Sequence, residues 1–154
     1  MELASAGLVS GSSGNVSLRL PGPQELFAIT PLGEPLSGLS VDDIVVADFD
    51  IEPVEGELAP SSETLLHVNA YKMRSDIGSV VHTHSLYASV AAVAGLEIPP
   101  LIDEMVTSIG GEVRVTDYAF PSTEELAEQV GLAVRDRNAV LLANHGVVGV
   151  GGGL

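Results

Sequence analysis

The sequence predicts one domain of the α/β or α+β class, built on a mixed β-sheet. The 154 residues are one domain's worth of chain, and 45% of them are hydrophobic, which is enough apolar surface to form a core. A chain this apolar is not disordered. Hairpin strands come first and later strands alternate with helices, a pattern typical of a mixed sheet. Because no repeat or linker interrupts the sequence, we expect a single domain over residues 1–154.

The N-terminal third is predicted to be mostly β-strand. Residues 16–20 alternate between apolar and polar, Pro21-Gly22-Pro23 forms a turn, and residues 26–30 form the second strand of a hairpin. Residues 44–48 are apolar on both faces, which predicts a central strand. The acidic stretch 48–57 is predicted to be a loop.

The rest of the chain alternates between helices and strands. Pro60 precedes a helix that begins at residues 61–63, is capped by a serine and runs to about Arg74. A capping box at residues 122–125 begins a later helix that ends near Arg137. The other predicted elements are a strand at 79–84, a helix at 86–94 and a last strand at 139–143, which is followed by Asn144-His145-Gly146 and the segment 147–150.

The charge balance narrows the choice of partners. Six Lys and Arg residues oppose 21 Asp and Glu residues, which gives a formal charge of −15. Such a chain has few cations to neutralise phosphates, so nucleic acids and anionic membranes are not expected partners. The sequence has no apolar run long enough to span a membrane and no signal-peptide pattern, which favours a cytoplasmic location. An anionic substrate would need a local positive source, either a metal ion or backbone N–H groups.

Three histidines at strand ends form the main candidate site. His82 and His84 lie two residues apart on a strand, so both side chains are on one face, and His145 follows the next buried strand. This is the number of protein ligands found at catalytic metal sites. Alternatively, histidines at strand ends bond only to the backbone. The fourth histidine, His67, lies within a helix and is predicted to be structural.

Glu63 is the natural fourth member of this site. A carboxylate at a helix N-terminus is stabilised by the helix dipole and held in a defined place. Next to a dication, Glu63 could bind the metal at rest and act as a base once substrate displaces it. Without the histidines, the simpler interpretation is helix-terminus electrostatics alone.

Two segments offer groups that suit a phosphate. The loop at residues 11–15 supplies the hydroxyl of Ser12, glycine backbone at Gly14 and the amide of Asn15. Ser61 and Ser62 lie at a helix N-terminus, where free N–H groups point outward. Taken alone, each pattern is usually only a loop or a helix cap and not a phosphate site.

With these residues in view, the sequence resembles the class II aldolase/adducin family almost from end to end. The motifs that carry the resemblance are Gly7-Leu8, Gly14-Asn15-Val16-Ser17, Pro60-Ser61-Ser62-Glu63, Val81-His82-Thr83-His84-Ser85 and Asn144-His145-Gly146. The resemblance implies a mixed, mostly antiparallel sheet flanked by helices, and a homotetramer with active sites between subunits.

The resemblance also implies a function. His82, His84 and His145, with Glu63 close by, would bind a divalent metal, usually Zn²⁺, with Mn²⁺ or Co²⁺ as alternatives. Residues around the substrate phosphate would be Ser12, Gly14, Asn15, Gly33, Ser61 and Ser62. The expected reaction is retro-aldol cleavage of a small ketose phosphate to dihydroxyacetone phosphate and an aldehyde. The only lysine, Lys72, matches no lysine role in the family.

The sequence departs from the family pattern at several points. Leu32 stands where a hydroxyl residue is usual, and Glu104 is nearest to the position of a tyrosine proton donor, so Glu104 is a candidate second acid/base. A catalytic glutamate in a similar setting occurs in the dehydratase branch. Sugar-phosphate epimerisation, methylthioribulose-phosphate-type dehydration and a non-catalytic adducin-like module therefore stay open as alternatives. Both ends are short for the family, so we expect apolar patches that are exposed or buried in an oligomer.

Overall fold

One eight-stranded sheet organises the chain. The computed structural model describes residues 2–153. The strands are β1 (Asn15–Arg19), β2 (Leu26–Ile29), β3 (Val45–Asp48), β4 (Pro53–Glu55), β5 (Ser79–Thr83), β6 (Arg114–Val115), β7 (Ala139–Leu141) and β8 (Val147–Gly151). Their order across the sheet is β4-β3-β2-β1-β5-β8-β7-β6. Only the β6–β7 pair is parallel among these neighbours, which confirms the predicted mixed, mostly antiparallel sheet.

Within residues 2–153, five α-helices accompany the sheet, besides two short 3-10 helices at Leu36–Gly38 and Val41–Asp43. The α-helices are α1 (Glu2–Ser5), α2 (Thr64–Met73), α3 (Leu86–Ala94), α4 (Asp103–Ser108) and α5 (Glu124–Ala133). Helices α2 and α5 contact each other and contribute to the main core on one face of the sheet. Within that core Phe27, Phe49 and Tyr71 pack with ring centroids 5.8–6.1 Å apart. No helix within residues 2–153 has the length and hydropathy needed to cross a bilayer.

The opposite face of the sheet is only partly covered. A small second core packs α3 and α4 against β7 through Ala92, Met105 and Leu141. Over β1, β2 and β5 an apolar groove of about 750 Å³ remains open, lined by residues that include Leu18, Ala28, Ile44, Val81 and Val150. Exposed apolar surface, which the sequence led us to expect, is therefore present.

Several predicted elements need correction. Strand β3 is buried on one face and half-buried on the other, and it lies second from the sheet edge rather than at the centre, because only the short exposed strand β4 lies beyond it. The predicted acidic loop contains the exposed edge strand Pro53–Glu55. Helix α5 ends at Ala133 rather than near Arg137, where Arg74 Nη1 donates to the carbonyls of Val134 and Arg137 at 3.0 and 3.3 Å.

Both predicted caps also differ in detail. Thr123 caps α5 by accepting a hydrogen bond from Leu126 N–H, so the capping box at residues 122–125 does not form. At α2 the cap position is Glu63 itself, and Ser61 Oγ accepts from Glu63 N–H at 3.3 Å. Glu63 is therefore at the helix N-terminus, as predicted.

Candidate metal centre and active site

The three predicted histidines meet where β5 and β8 are joined to their loops. His82 lies on β5, His84 follows that strand, and His145 lies in the turn between β7 and β8. Their ring centroids are 4.7–4.8 Å apart in all three pairs, and the Nε2 atoms of His82 and His84 are 2.9 Å apart. The prediction that two separate strand ends bring the imidazoles together is confirmed.

Glu63 completes the cluster from the start of α2. Its Oε2 is 3.1 Å from His82 Nε2, and its Oε1 is 3.3 Å from His145 Nε2. One ligand atom from each of the four residues lies within 4.8 Å of the others. His82 is fully buried and His84 is exposed, so the cluster opens to solvent at one end. We call Glu63, His82, His84 and His145 the four-residue cluster.

The donor set fits a divalent cation. A tetrahedral zinc site with bonds of 2.0–2.1 Å places its ligand atoms about 3.3 Å apart. The contacts within the cluster measure 2.9, 3.1 and 3.3 Å. His82 Nδ1 lies 3.0 Å from Val147 O, so Nδ1–H donates to that carbonyl and the Nε2 lone pair faces the Glu63 carboxylate. A cation between these two atoms, either a metal ion or a proton on Nε2, satisfies both of them.

Two unpartnered atoms support the same conclusion. Glu63 Oε1 and His145 Nδ1 are buried and have no hydrogen-bond partner among the described residues. A buried polar atom without a partner costs about 1–3 kcal/mol, and such atoms are rare unless a ligand uses them. Gln129 Oε1 and Arg137 Nε are also buried without a partner, but they lie outside the four-residue cluster. Glu63 Oε1, which faces His145 Nε2, is the unpaired atom that points into the cluster.

The protonation states also suit metal binding. Burial alone would raise the pKa of Glu63, but the hydrogen bond and charge of His82, with smaller effects of His145 and Asn15, lower that pKa to about 2. Burial and the neighbouring His82 lower the pKa of His145 to about 4, and the same causes lower the pKa of His84. At neutral pH the cluster is thus an ionised carboxylate beside neutral His84 and His145, the forms that bind metals.

Glycine allows the turn to approach the histidines. A Cβ on Gly146 would collide with the carbonyl oxygen of Thr83 and would lie 2.9 Å from His84 Cδ2. A Cβ on Gly14, which has φ of +84°, would lie 2.8 Å from the His82 carbonyl oxygen. Both glycines are therefore needed for close backbone packing at this end of β5.

The proposed phosphate residues lie on three adjoining segments. Leu32 N–H donates to Ala59 O at 2.9 Å, and Pro31 and Pro60 form an isolated bridge, so the loop with Gly33 lies beside the loop with Ser61 and Ser62. Ser12, Gly33 and Ser62 are exposed, whereas Ser61 is buried. Gly14 joins this region to β5 through its contact with His82.

Asn15 has a different environment from the other proposed phosphate residues. It is buried, its Nδ2 donates to Glu63 Oε2 at 3.1 Å, and its Oδ1 lies 2.6 Å from His67 Nε2. His67 is fully buried and lies outside the cluster, in agreement with its predicted structural role. This link from a core histidine through Asn15 to the cluster was not predicted, although Glu63 and His67 are four residues apart at the start of α2.

Glu104 lies apart from the four-residue cluster. It is exposed on α4, and its side chain makes no hydrogen bond or ion pair to any part of the chain that the structure describes. Around it Leu101, Ile102 and Val106 are more than half exposed. Within one copy of the chain, the structure does not bring Glu104 to the histidines.

Comparisons with known proteins identify the family of the chain. A family model described as Class II Aldolase and Adducin N-terminal domain matches residues 1–154. A 5-deoxy-D-ribulose 1-phosphate aldolase of Bacillus thuringiensis serovar kurstaki is 39% identical over 147 residues, 96% of this chain and 68% of that protein. The L-fuculose phosphate aldolase of Escherichia coli K12 is 36% identical over 148 residues, 96% of this chain and 67% of that protein.

A solved structure gives the same result. An L-fuculose 1-phosphate aldolase of 39% identity superimposes with a TM-score of 0.92 and is matched over 99% of this chain and 71% of its own. The chain belongs to the class II aldolase and adducin family. Within that family it is an enzyme of the class II aldolase type, and it spans about two thirds of the length of these relatives. The alternative of a non-catalytic module gains no support from them.

Proposed function

We propose that the chain cleaves a small ketose 1-phosphate by retro-aldol chemistry, giving dihydroxyacetone phosphate and an aldehyde. The observation that carries this proposal is the four-residue cluster, in which an ionised carboxylate and three imidazoles face one another at 2.9–3.3 Å. Its relatives are named for 5-deoxy-D-ribulose 1-phosphate and L-fuculose phosphate, which supports a small ketose phosphate as the substrate class.

The proposed cofactor is Zn²⁺, held by His82, His84, His145 and Glu63, with Mn²⁺ or Co²⁺ as alternatives. Three imidazole donors and one carboxylate are typical of zinc sites that react with substrate. When bound, such a cation supplies positive charge that offsets the negative charge developing on the substrate oxygens as the C3–C4 bond breaks. In a chain of formal charge −15, that local charge also attracts an anionic substrate.

The cleavage requires two proton transfers. One proton leaves the C4 hydroxyl as the aldehyde forms, and one proton is delivered to C3 of the remaining three-carbon fragment. We assign the C3 proton to Glu63, whose Oε1 has no hydrogen-bond partner among the described residues. Because Glu63 is ionised at rest, it takes this proton from water before delivering it to C3, and the proton released by the C4 hydroxyl returns to water, so cleavage consumes no net proton. Glu104 is the candidate for the C4 hydroxyl proton, a role that requires it to reach the cluster of a neighbouring copy.

The proposed phosphate site combines hydroxyls and backbone N–H groups rather than basic side chains. Its members are Ser12, Gly14, Asn15, Gly33, Ser61 and Ser62. The adjoining loops at residues 31–33 and 59–62 and the N-terminus of α2 favour this arrangement. Because both polar atoms of the Asn15 side chain are already engaged, Asn15 would serve through its backbone or through a rearranged side chain.

A homotetramer with shared active sites is the proposed assembly. Helix α3 follows directly after His84, and four of its nine residues are apolar and 59–87% exposed: Leu86, Tyr87, Val90 and Val93. We call these four residues the α3 surface. An apolar patch this dense, next to a catalytic cluster, fits burial against another copy. The cytoplasmic location predicted from the sequence also stays a proposal.

The experiment compares products and then mixes two variants. Protein reconstituted with zinc is incubated with a panel of ketose 1-phosphates, and the aldehyde, the epimer and the dehydrated product are measured separately. Aldehyde release with stoichiometric dihydroxyacetone phosphate is expected. An epimer or a dehydrated product without aldehyde would contradict the aldolase proposal and favour the corresponding alternative.

Co-expression of Glu63→Gln with Glu104→Gln tests whether copies share a site. Each variant alone is expected to lose roughly 10²–10⁴-fold in kcat, as general acid–base residues do. A random mixture in which each site takes one residue from each of two copies regains about a quarter of wild-type activity. Full activity of Glu104→Gln alone would remove Glu104 from the mechanism, and no recovery in the mixture would exclude shared sites.

A further inference from the structure

A buried network of polar side chains connects Glu63 to the interior of the protein. On α2, Glu63, His67 and Tyr71 are spaced four residues apart, and on β1, Asn15 and Ser17 are spaced two residues apart. Both spacings place side chains on a single face of their element, and these two faces meet. We call Asn15, Ser17, His67 and Tyr71 the buried network.

Its contacts form one continuous path. Tyr71 OH is 2.6 Å from Ser17 Oγ, and Ser17 Oγ is 2.7 Å from His67 Nδ1. His67 Nε2 is 2.6 Å from Asn15 Oδ1, and Asn15 Nδ2 is 3.1 Å from Glu63 Oε2. His67 is fully buried, Ser17 and Tyr71 are 1% exposed and Asn15 is 4% exposed, so water does not compete for these bonds.

The direction of every hydrogen bond follows from its end point. A carboxylate only accepts, so the Asn15 amide must turn its NH₂ to Glu63 and its carbonyl to His67. His67 must then donate from Nε2–H and accept at Nδ1. Ser17 fills Nδ1 with its only proton, which leaves Ser17 Oγ to accept from Tyr71 O–H. All four donors therefore point toward Glu63.

The charge states agree with this direction. Burial is the main cause that lowers the pKa of His67 to about 3, so His67 is neutral at pH 7. Burial also raises the pKa of Tyr71 to about 12, so Tyr71 keeps the proton that it donates. The network thus carries no net charge of its own and ends at one ionised oxygen.

We propose that this buried network is a positioning device: it holds Oε2 of Glu63 and thereby leaves Oε1 as the oxygen that exchanges protons with substrate. The inference rests on the proposed role of Glu63. Oε2 contacts both Asn15 Nδ2 and His82 Nε2, whereas Oε1 has no hydrogen-bond partner in the described structure. Rotation of the carboxylate would break its hydrogen bond with Asn15 and leave the buried Asn15 N–H without an acceptor.

His67 is the residue that can be tested without altering the cluster. It touches Asn15 and Ser17 and none of the proposed metal ligands by hydrogen bond. A glutamine at this position keeps an N–H donor for Asn15 Oδ1 and an oxygen acceptor for Ser17. A leucine of similar size keeps the packing but offers neither group. His67→Gln and His67→Leu are therefore a matched pair.

The first measurement reads the tautomer in the wild-type protein. Imidazole nitrogen resonances of protein with 15N-labelled histidine, zinc-loaded and metal-free, are expected to show His67 neutral and protonated on Nε2 in both forms. A His67 protonated on Nδ1, or a charged imidazolium near pH 7, would overturn the proposed direction. This result does not depend on turnover, so it separates the network from the proposed aldolase activity.

The second measurement compares the variants at saturating zinc. Loss of an outer hydrogen-bond partner typically costs 10–100-fold, so His67→Leu is expected to lose 10–100-fold in kcat with KM within about threefold and one zinc per chain. His67→Gln is expected to recover kcat to within about threefold of the wild type. Equal kcat in both variants and the wild type would show that His67 only fills the core.

If His67→Leu does not fold, the tautomer of His67 and the kcat of His67→Gln still test the proposal. His67→Gln with a kcat at least 10-fold below the wild type, in a folded protein with full zinc, would contradict the proposal. A confirmed network in a protein that releases no aldehyde from any ketose phosphate would leave the positioning device standing and overturn the proposed function alone.

Discussion

The two sides of the four-residue cluster are built in opposite ways. Toward α2, the cluster rests on buried side chains in which every polar atom from Tyr71 to Asn15 has a partner. Toward α3 and α4, it borders exposed apolar residues such as Leu86, Tyr87 and Val90. One side is complete within a single copy of the chain, and the other leaves its apolar surface uncovered.

This difference separates two tasks of the site. The α2 side fixes the ligand atoms, which demands rigid packing and satisfied hydrogen bonds. In our proposal, the α3 and α4 side admits the substrate and receives a second proton carrier. Glu104, exposed on α4 and without a side-chain partner in the described residues, lies on this second side. Substitutions that disturb one side at a time can therefore distinguish the two tasks.

The largest loss of activity is expected from a substitution at the boundary between the two sides. His84→Ala removes the exposed ligand while leaving the buried His82 and its bond to Val147 in place. Charge stabilisation by a bound cation is worth several kcal/mol, so we expect a loss of roughly 10³-fold or more in kcat/KM. Metal content, measured by mass spectrometry after zinc reconstitution, should fall well below one per chain.

His67→Gln is the control for that loss. It also replaces a histidine of this region but should retain one zinc per chain. If His84→Ala keeps full metal content and wild-type kcat/KM, the imidazole is not a ligand and the account of the exposed end is wrong.

An intermediate effect is expected on the α3 surface. In Val90→Glu, assembly would bury an unpaired carboxylate, which costs about 3–5 kcal/mol. Sedimentation should therefore show a shift from multimer to monomer, and activity should fall with it while metal content stays unchanged. Val54→Glu on the edge strand β4 is the matched control, since Val54 and Val90 are both 59% exposed. The same assembly state in both variants would contradict a subunit contact through α3.

The smallest predicted effect, on the α2 side, is a decrease in the free energy of unfolding at acidic pH. The pKa of His67 is lowered from 6.5 to about 3 by burial first and by His82 second, while Glu63 acts in the opposite direction. The unfolded chain therefore binds a proton below pH 6.5 that the folded chain rejects, and stability falls as the pH falls from 6.5 toward 3. At pH 5 this amounts to about 2 kcal/mol.

Urea unfolding of metal-free protein at pH 7.5 and pH 5 gives the total decrease, to which His84 and His145 also contribute because their pKa values are lowered as well. The difference between the wild type and His67→Gln isolates the part that comes from His67. His67→Gln should recover about 2 kcal/mol of the decrease between the two values, since glutamine does not titrate. Glu63 does not obscure the comparison, because its lowered pKa affects stability only below pH 4.5. An identical decrease in the variant and the wild type would show that His67 is not held neutral by the fold.

The sequence predicted the convergence of the three histidines better than the surroundings of the cluster. Strand alternation placed His82 and His84 on one face, and strand ends brought in His145, because these are local rules with one geometric outcome. The four-residue spacing of Glu63, His67 and Tyr71 was equally visible, yet its partner face on β1 depends on how α2 packs, which is not a local property. For the same reason the open groove beside β3 could not be seen in its apolar run.

Edge elements and helix ends also escaped prediction for physical reasons. The strand Pro53–Glu55 contains proline and acidic residues, which suit an exposed edge but disfavour strands in general. Helix α5 ends where the Arg74 side chain donates hydrogen bonds to the carbonyls of Val134 and Arg137. These residues are about 60 positions from Arg74 in the sequence. Glu104 was predicted as an acid/base from the resemblance alone, and its distance from the cluster in one copy reflects an exposed position on α4.

X-ray absorption spectroscopy of the zinc-reconstituted protein tests the central claim most directly. The account predicts one zinc per chain with three imidazole nitrogens at about 2.0–2.1 Å and one oxygen donor in its inner coordination sphere. Glu63→Gln should change the oxygen contribution and leave the three imidazoles in place. A spectrum with fewer than three imidazole nitrogens in the wild-type protein would contradict a cation held by His82, His84 and His145.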